Sequence, residues 1–425
     1  MRSIIFPLLL VSVAVSASPS TSSLSLLQTM REAEANSPAL KVDEFRLKSS
    51  EETIRMKKSG YFPELSVAAI ASTGDPGSFS MLDVDSNLSS TNRIGYGASL
   101  ILKQDIWDFG RTSHSVESAK LENEVEKQQS SLTRAQVSRD VLVTYLDCAF
   151  YKTQVQQSSF MIDQAKRLAQ EINHFVRSGQ RSIIERYFVE SELKSALTNQ
   201  AEYSERMNVA EEHLGILLHQ SSKEKVSCQD LEAVQKDVEW MEGLPNQNPL
   251  LERENLRLRV AESKLDEARA ENNPRIIGMA LAGTFDNDHL KDRDHYAAGV
   301  GVTWPLFSGF LVDAKNEKSH ADVLAQQNFV EATRQKVDAA NSGYDERIRS
   351  LRVRLSFLNE EKIHAKKVFE LAHQRYEDMQ GNITDLREAI KFTNKLALEG
   401  DQVLRDYLLA MGEKSLFNGF DIGKR

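Results

Sequence analysis

The sequence is poor in the residues that break helices or knit small domains together. It has two cysteines, nine prolines and 20 glycines in 425 residues. Two cysteines exclude a disulfide-dense scaffold and a four-cysteine zinc module. So little glycine and proline excludes a collagen-like or low-complexity chain. A basic excess is also lacking: 53 Lys and Arg stand against 62 Asp and Glu, a net charge of −9. Nucleic acid is therefore not an expected partner, because phosphate binding needs concentrated positive charge. Beyond the N-terminus there is no helix-length apolar run. The longest uncharged stretch, 296–312, holds Pro305 and three glycines, so no helical membrane anchor is expected. No zinc-protease, P-loop or nucleophile-elbow motif occurs, so the chain reads as a non-enzyme without a cofactor or metal.

What is present begins with MRSIIFPLLLVSVAVSA at residues 1–17. Arg2 is a basic start, Ile4 to Val15 an apolar core, and Val15-Ser16-Ala17 a small-residue cleavage site before Ser18. This pattern predicts a secretory signal peptide and an exported protein.

The prolines divide the rest. Residues 77–244 and 306–425 contain none, and since a helix interior excludes proline by about 3 kcal/mol, both runs predict long helices. The prolines also mark a duplication. Ser37-Pro38-Ala39-Leu40 matches Asn248-Pro249-Leu250-Leu251, and Phe62-Pro63 matches Asn273-Pro274, at an offset of 211. Ile106-Trp107-Asp108-Phe109-Gly110 matches Leu306-Phe307-Ser308-Gly309-Phe310 at 200, and Arg177-Ser178-Gly179 aligns with Met379-Gln380-Gly381 at 202. Each half reads helix, two strands, very long helix, glycine break, helix. Along the long helices a 4–3 spacing runs through Leu121, Val125, Leu132, Leu142, Leu146 and Ala149, and again through Val323, Val330, Val337, Leu351, Leu358 and Ala365. That is a coiled-coil period. Taken alone it also fits a purely structural coiled coil.

Four segments alternate with period two instead. Tyr296, Ala298, Val300, Val302 and Trp304 alternate with Ala297, Gly299, Gly301 and Thr303; Ile94 to Lys103 does the same, with Leu65 to Ser72 and Ile276 to Phe285 as partners. Each is about 8–10 residues, near the length of a tilted membrane strand. Tyr296 at one end, and Trp107 and Trp304 near the other, suit an interfacial aromatic belt. Four strands cannot close a membrane barrel, so spanning strands imply an oligomer.

In this order the segments resemble the TolC-type outer-membrane efflux proteins. The resemblance rests on the duplicated N/S-P-x-L helix start, Pro63 and Pro274, the IWDFGR and LFSGF segments and the two helical hairpins. It implies a mainly α fold with a membrane β-barrel and a long periplasmic coiled-coil tunnel. Four strands per chain would form a 12-stranded barrel in a trimer. The implied division gives the signal peptide at 1–17, first-repeat helices at 18–60, a membrane β-hairpin at 61–104 and a long helical hairpin at 105–219 with its tip near 177–182. An equatorial connector at 220–244 follows, then a second-repeat helix at 245–272 and a second β-hairpin at 273–305. The second helical hairpin is expected at 306–411, with its tip near 379–384 and a C-terminal tail at 412–425.

The implied function is the passive outer-membrane exit duct of a tripartite pump or a type I secretion system. Its partners would be a periplasmic adaptor, an inner-membrane transporter, outer-membrane lipid and two further copies of the chain. The rival is a structural envelope coiled coil without a pore. By the resemblance, an acidic pair after the second tip narrows the entrance, at Asp385 and Glu388, with Glu185 at the first tip. Only three residues separate Gly381 from Asp385, two fewer than is usual in the family. Gly179, Ser182, Gly381 and Thr384 would be the adaptor-contacting tip. Glu185 is equally placed to close a capping box with Ser182. Cys148 and Cys228 either pair in an oxidising compartment or stay as buried thiols. The loop holding Asp286, Asp288, His289, Asp292, Asp294 and His295 lacks the glycine and terminal glutamate of a calcium loop and reads as solvated.

Overall fold

The computed structural model describes residues 24–74, 93–219, 226–242, 248–286 and 294–424. The signal peptide at 1–17, most of both strand-linking loops and parts of the 220–244 connector lie outside the described residues. The chain forms two compact units.

The first unit, 39–133 with 247–340, contains α2 (Pro38–Lys58), whose first residue belongs to the other unit, then β1 (Glu64–Gly74), β2 (Arg93–Trp107) and the start of α3 (Arg111–Arg177). It also contains α6 (Pro249–Ala270), β3 (Arg275–Asp286), β4 (Asp294–Thr303) and the start of α7 (Leu311–Glu377). The N/S-P-x-L motif is a helix start in chemical detail. Asn248 Oδ1 accepts from the Leu250 and Leu251 N–H groups at 3.0 and 3.2 Å, and Pro249 occupies the first helical position, where no N–H is needed. The strand-to-helix corners explain IWDFGR and LFSGF. Phe109 and Gly110 both have positive φ, as do Gly309 and Phe310, so the corner needs two left-handed residues and each repeat supplies one glycine. Asp108 caps α3 by accepting from Gly110 and Thr112 N–H at 3.1 and 2.7 Å. Leu121 and Val125 of α3 pack on Leu256 and Val260 of α6.

The strands pair antiparallel in the order β1-β2-β3-β4. They have 11, 15, 12 and 10 residues, the first three longer than the 8–10 expected. The first hairpin therefore extends past 104 to Trp107, with a bulge between Asp105 and Trp107. The strands also run a residue or two into segments expected to be loop, since β1 reaches Gly74, β3 reaches Asp286 and β4 begins at Asp294. At the opposite end Glu64 lies across from Lys103, where opposite charges are favourable.

The second unit, 1–38 with 134–246 and 341–425, holds α1 (Leu26–Asn36), the remainder of α3 and α7, α4 (Ile183–Leu217), α5 (Leu231–Met241) and α8 (Ile383–Phe417). α3 and α7 each have 67 residues and α4 and α8 each 35. Their bounds are all related by an offset of 200. Among the described residues, no helix is long and apolar enough to cross a membrane. The core joins Leu26 and Met30 of α1, Leu142, Tyr145 and Leu146 of α3, Leu231, Val234 and Val238 of α5, and Leu408 and Met411 of α8. α5 lies in the connector, and its buried Leu231, Val234, Val238 and Met241 follow one helical face. Cys148 and Cys228 form a disulfide that fastens this connector to α3. The buried Tyr145 hydroxyl donates to Leu24 O at 2.6 Å and accepts from Gln229 N–H at 2.9 Å, and burial pushes its pKa up to about 12.

The expected tail at 412–425 is corrected. α8 continues to Phe417, and Phe420 and Ile422 are buried in the core, with the Phe420 ring 5.8 Å from Trp240. Apolar residues after the helix draw the chain back onto the core. Gly412 is where α8 crosses α3 most closely: a Cβ there would come within 2.6 Å of the buried Leu142 side chain. Gly412→Ala is expected to lower unfolding stability by about 1–3 kcal/mol through overpacking. Gly400→Ala, which meets only the flexible Lys362 ammonium end, is expected to cost less. Thermal unfolding of the two variants checks the contrast.

Candidate functional site

Two places concentrate features beyond packing. The first is the sheet. Because strand residues alternate between faces, the register puts Leu65 opposite Leu102, Val67 opposite Leu100, Leu100 opposite Ala282 and Ala282 opposite Tyr296. That face continues through Val300 and Val302 and is apolar, yet Val67, Val300 and Val302 are each about 70% exposed. The other face is mixed, with Ser66, Ser99, Lys103, Asp105, Gly299 and Gly301 beside Ile101, Met279 and Leu281. Tyr296 is 90% exposed and lies about 26 Å along the strand direction from Trp304 at the usual rise. Trp107 and Trp304 are exposed at the opposite end, where the Trp304 indole donates to Asn272 O at 3.0 Å. Among the described residues, β1 and β4 each pair on one side only.

The second place is the turn between the helices of each hairpin. α3 and α7 end identically. Gly179 N–H donates to Val176 O and Gln180 N–H to Phe175 O; Met379 N–H donates to Tyr376 O and Gln380 N–H to Arg375 O, all at 2.9–3.2 Å. This is the Schellman closure, which needs a left-handed residue. Gly179 has φ 72° and Met379 φ 60°. The break expected at Gly381 is thus corrected to Met379, and the alignment at the tip is 200, not 202. Gly381 instead packs against the Arg375–Tyr376 backbone, with 3.1 Å available for a Cβ. With the offset corrected, Ser182 and Asn382 are the equivalent N-caps, and Glu185 and Asp385 are equivalent third residues. The apparent shortening before Asp385 came from the misaligned glycine.

The three acidic candidates then separate. Glu185 faces inward: its carboxylate accepts from the Tyr376 hydroxyl at 2.5 Å, and Arg181 lies 4.0 Å away. It does not close a capping box with Ser182, whose hydroxyl accepts from Ile184 N–H at 3.3 Å. Asp385 and Glu388 are exposed one turn apart on α8, and among the described residues neither forms an ion pair. Asn382 Oδ1 accepts from the Asp385 N–H at 2.8 Å. Ser182 and Thr384 are exposed, as is Gly179. Between these tips and the core, α3, α4, α7 and α8 enclose a cavity of about 1110 Å³ lined by Phe160, Leu168, Phe188, Phe369 and Ile390 with charged groups among them.

The profile of the family described as "Outer membrane efflux protein" matches residues 29–218 and 240–391. The chain belongs to the outer membrane efflux protein family. The outer membrane protein VceC of Vibrio cholerae has a similar fold at 17% identity and TM-score 0.74, covering 93% of this chain and 97% of that one. The Campylobacter jejuni outer membrane channel CmeC aligns at 14% identity and TM-score 0.71, over 100% and 96%. The open state of the Neisseria gonorrhoeae MtrE outer membrane channel aligns at 16% and 0.73, over 93% and 90%. No curated protein sequence gives a significant match.

For this efflux-family chain, the residues that sequence reasoning missed are Arg181, Tyr376 and Asp401. The Arg181 guanidinium stacks 4.3 Å from the Tyr376 ring centroid and donates to Tyr376 O at 2.9 Å. Burial and the Glu185 carboxylate raise the Tyr376 pKa. Asp401 accepts from Gln154 and Gln157 at 2.8 and 2.7 Å, with Lys362 3.8 Å away, and burial raises its pKa. Tyr376→Phe keeps the stacked ring but removes the bond to Glu185. It is expected to cost about 1.5–3 kcal/mol at the tip and to speed amide exchange over 183–190. Amide exchange by mass spectrometry, with Asp385→Asn as the unaffected control, is the check.

Proposed function

We propose that the chain is one third of a trimeric outer-membrane exit duct that conducts substrate passively out of the periplasm. The observation that carries this reading is the sheet, with one largely apolar face exposed and, among the described residues, the outer edges of β1 and β4 unpaired. In lipid an open edge leaves backbone groups unsatisfied, so such a sheet is stable only when closed by copies of itself. Three chains of four strands give twelve, an even number within the range of membrane barrels. The spacing between Tyr296 and the two tryptophans matches an apolar band of about 25 Å between aromatic girdles. A pore-free envelope coiled coil has no use for this exposed face.

In the same reading the helical hairpins form a periplasmic conduit and residues 220–244 part of an equatorial belt. The tips around Gly179, Ser182, Gly381 and Thr384 meet a periplasmic adaptor coupled to an inner-membrane transporter, as in a tripartite pump or a type I secretion system. Asp385 and Glu388, rather than Glu185, narrow the entrance, because Glu185 is held by Tyr376 within its own chain. Six carboxylates around one axis would repel unless hydrated or neutralised by cations. The duct is therefore expected to select cations and to be blocked by divalent salts in planar bilayers. Asp385→Asn with Glu388→Gln is expected to relieve the block and lower cation selectivity while leaving the trimer intact. A double variant that conducts and blocks like the parent would reduce these residues to helix-end charges, whose worth is about 0.3–1 kcal/mol each.

A further inference from the structure

Near the tip, one cluster differs from the other ion pairs of the structure. Glu171 of α3 and His373 and Glu377 of α7 bring one ligand atom each to within 4.8 Å of one another. His373 Nε2 lies 3.8 Å from the Glu171 carboxylate and Nδ1 lies 3.7 Å from the Glu377 carboxylate. Among the described residues, these two carboxylates form ion pairs only with His373, and no lysine or arginine neutralises them. Two like charges are thus held against one imidazole with no permanent cation among them.

His373 and Glu377 are four residues apart on one helix, a spacing that aims both at the same point, and Glu171 supplies a third ligand from a different helix. An imidazole with two carboxylates suits a zinc-type divalent ion better than magnesium or calcium, which favour all-oxygen sets. His373 and Glu171 also line the large cavity, which gives solvent and ions a way in. We propose that Glu171, His373 and Glu377 form a zinc-type divalent metal site that staples the α3/α4 hairpin to the α7/α8 hairpin just above the tip. This site lies within a single chain and is separate from the Asp385 and Glu388 pair, so it stands or falls independently of the duct reading.

The test uses the full-length, untagged protein in detergent, titrated calorimetrically with zinc chloride and, in parallel, with magnesium chloride. One zinc ion per chain is expected to bind, with no response to magnesium at the same concentration. Zinc is expected to slow amide exchange over 168–176 and 369–379. His373→Ala and Glu171→Gln are each expected to weaken binding at least about 10-fold, while His320→Ala, at an exposed site on α7, leaves it unchanged. Far-ultraviolet circular dichroism confirms that the variants keep their helices, and the more conservative Glu171→Gln carries the comparison if His373→Ala misfolds. The proposal is overturned if the parent protein takes up no zinc, if magnesium binds equally well, or if Glu171→Gln binds zinc like the parent.

Discussion

A backbone N–H or C=O facing hydrocarbon without a partner costs several kcal/mol, and this constraint organises the molecule. Among the described residues the sheet has four strands, the outer edges of β1 and β4 are unpaired, and one of its faces is largely apolar. No amount of packing within a single chain satisfies those edges. The duplication is an economical answer, because each half contributes one hairpin and the two hairpins meet through β2 and β3 in one sheet. The same duplication sets two 67-residue helices at equivalent points after the hairpins, each entered through a corner with two left-handed residues.

Much of this was legible in the sequence because it is written in local chemistry. Pro38 and Pro249 start helices, the alternating segments Ile94–Lys103 and Tyr296–Trp304 fall in β2 and, up to Thr303, in β4, and the proline-free runs contain the long helices. The strand ends were misjudged because polarity alone suggests a loop, whereas Thr73, Asp286 and Asp294 still belong to the ladder. The tip was misaligned for a similar reason. Glycine is the usual left-handed residue after a helix, so Gly381 looked like the counterpart of Gly179. The structure places Met379 there, at a cost of about 1–2 kcal/mol for a side chain in that conformation. The closing hydrogen bonds from Met379 and Gln380 sustain it.

What stayed hidden is what distance in the chain hides. The Tyr376 to Glu185 bond joins residues 191 apart and Gln154 to Asp401 joins residues 247 apart. No periodicity reports such pairs. Together they show how unit 134–246 with 341–425 is held: an apolar core under the connector, a buried polar knot at Asp401, and an aromatic and ionic clasp at the tip. Residues that seemed equivalent by type, Glu185 and Asp385, occupy equivalent positions but differ in their contacts, because the Tyr376 hydroxyl bonds Glu185.

Closure of the sheet by copies of the chain is the central claim, and edge-to-edge cross-linking tests it most directly. Val67→Cys on β1 would be combined in one chain with Ala298→Cys, Val300→Cys or Val302→Cys on β4, all on the same face of the sheet. The native cysteines are already paired and do not compete. After oxidation in detergent or membranes, at least one pair should give covalent dimers and trimers on denaturing gels, with no larger species, because a ring of three leaves no free edge. Monomers alone for every pair, or an open ladder running beyond three, would contradict the account.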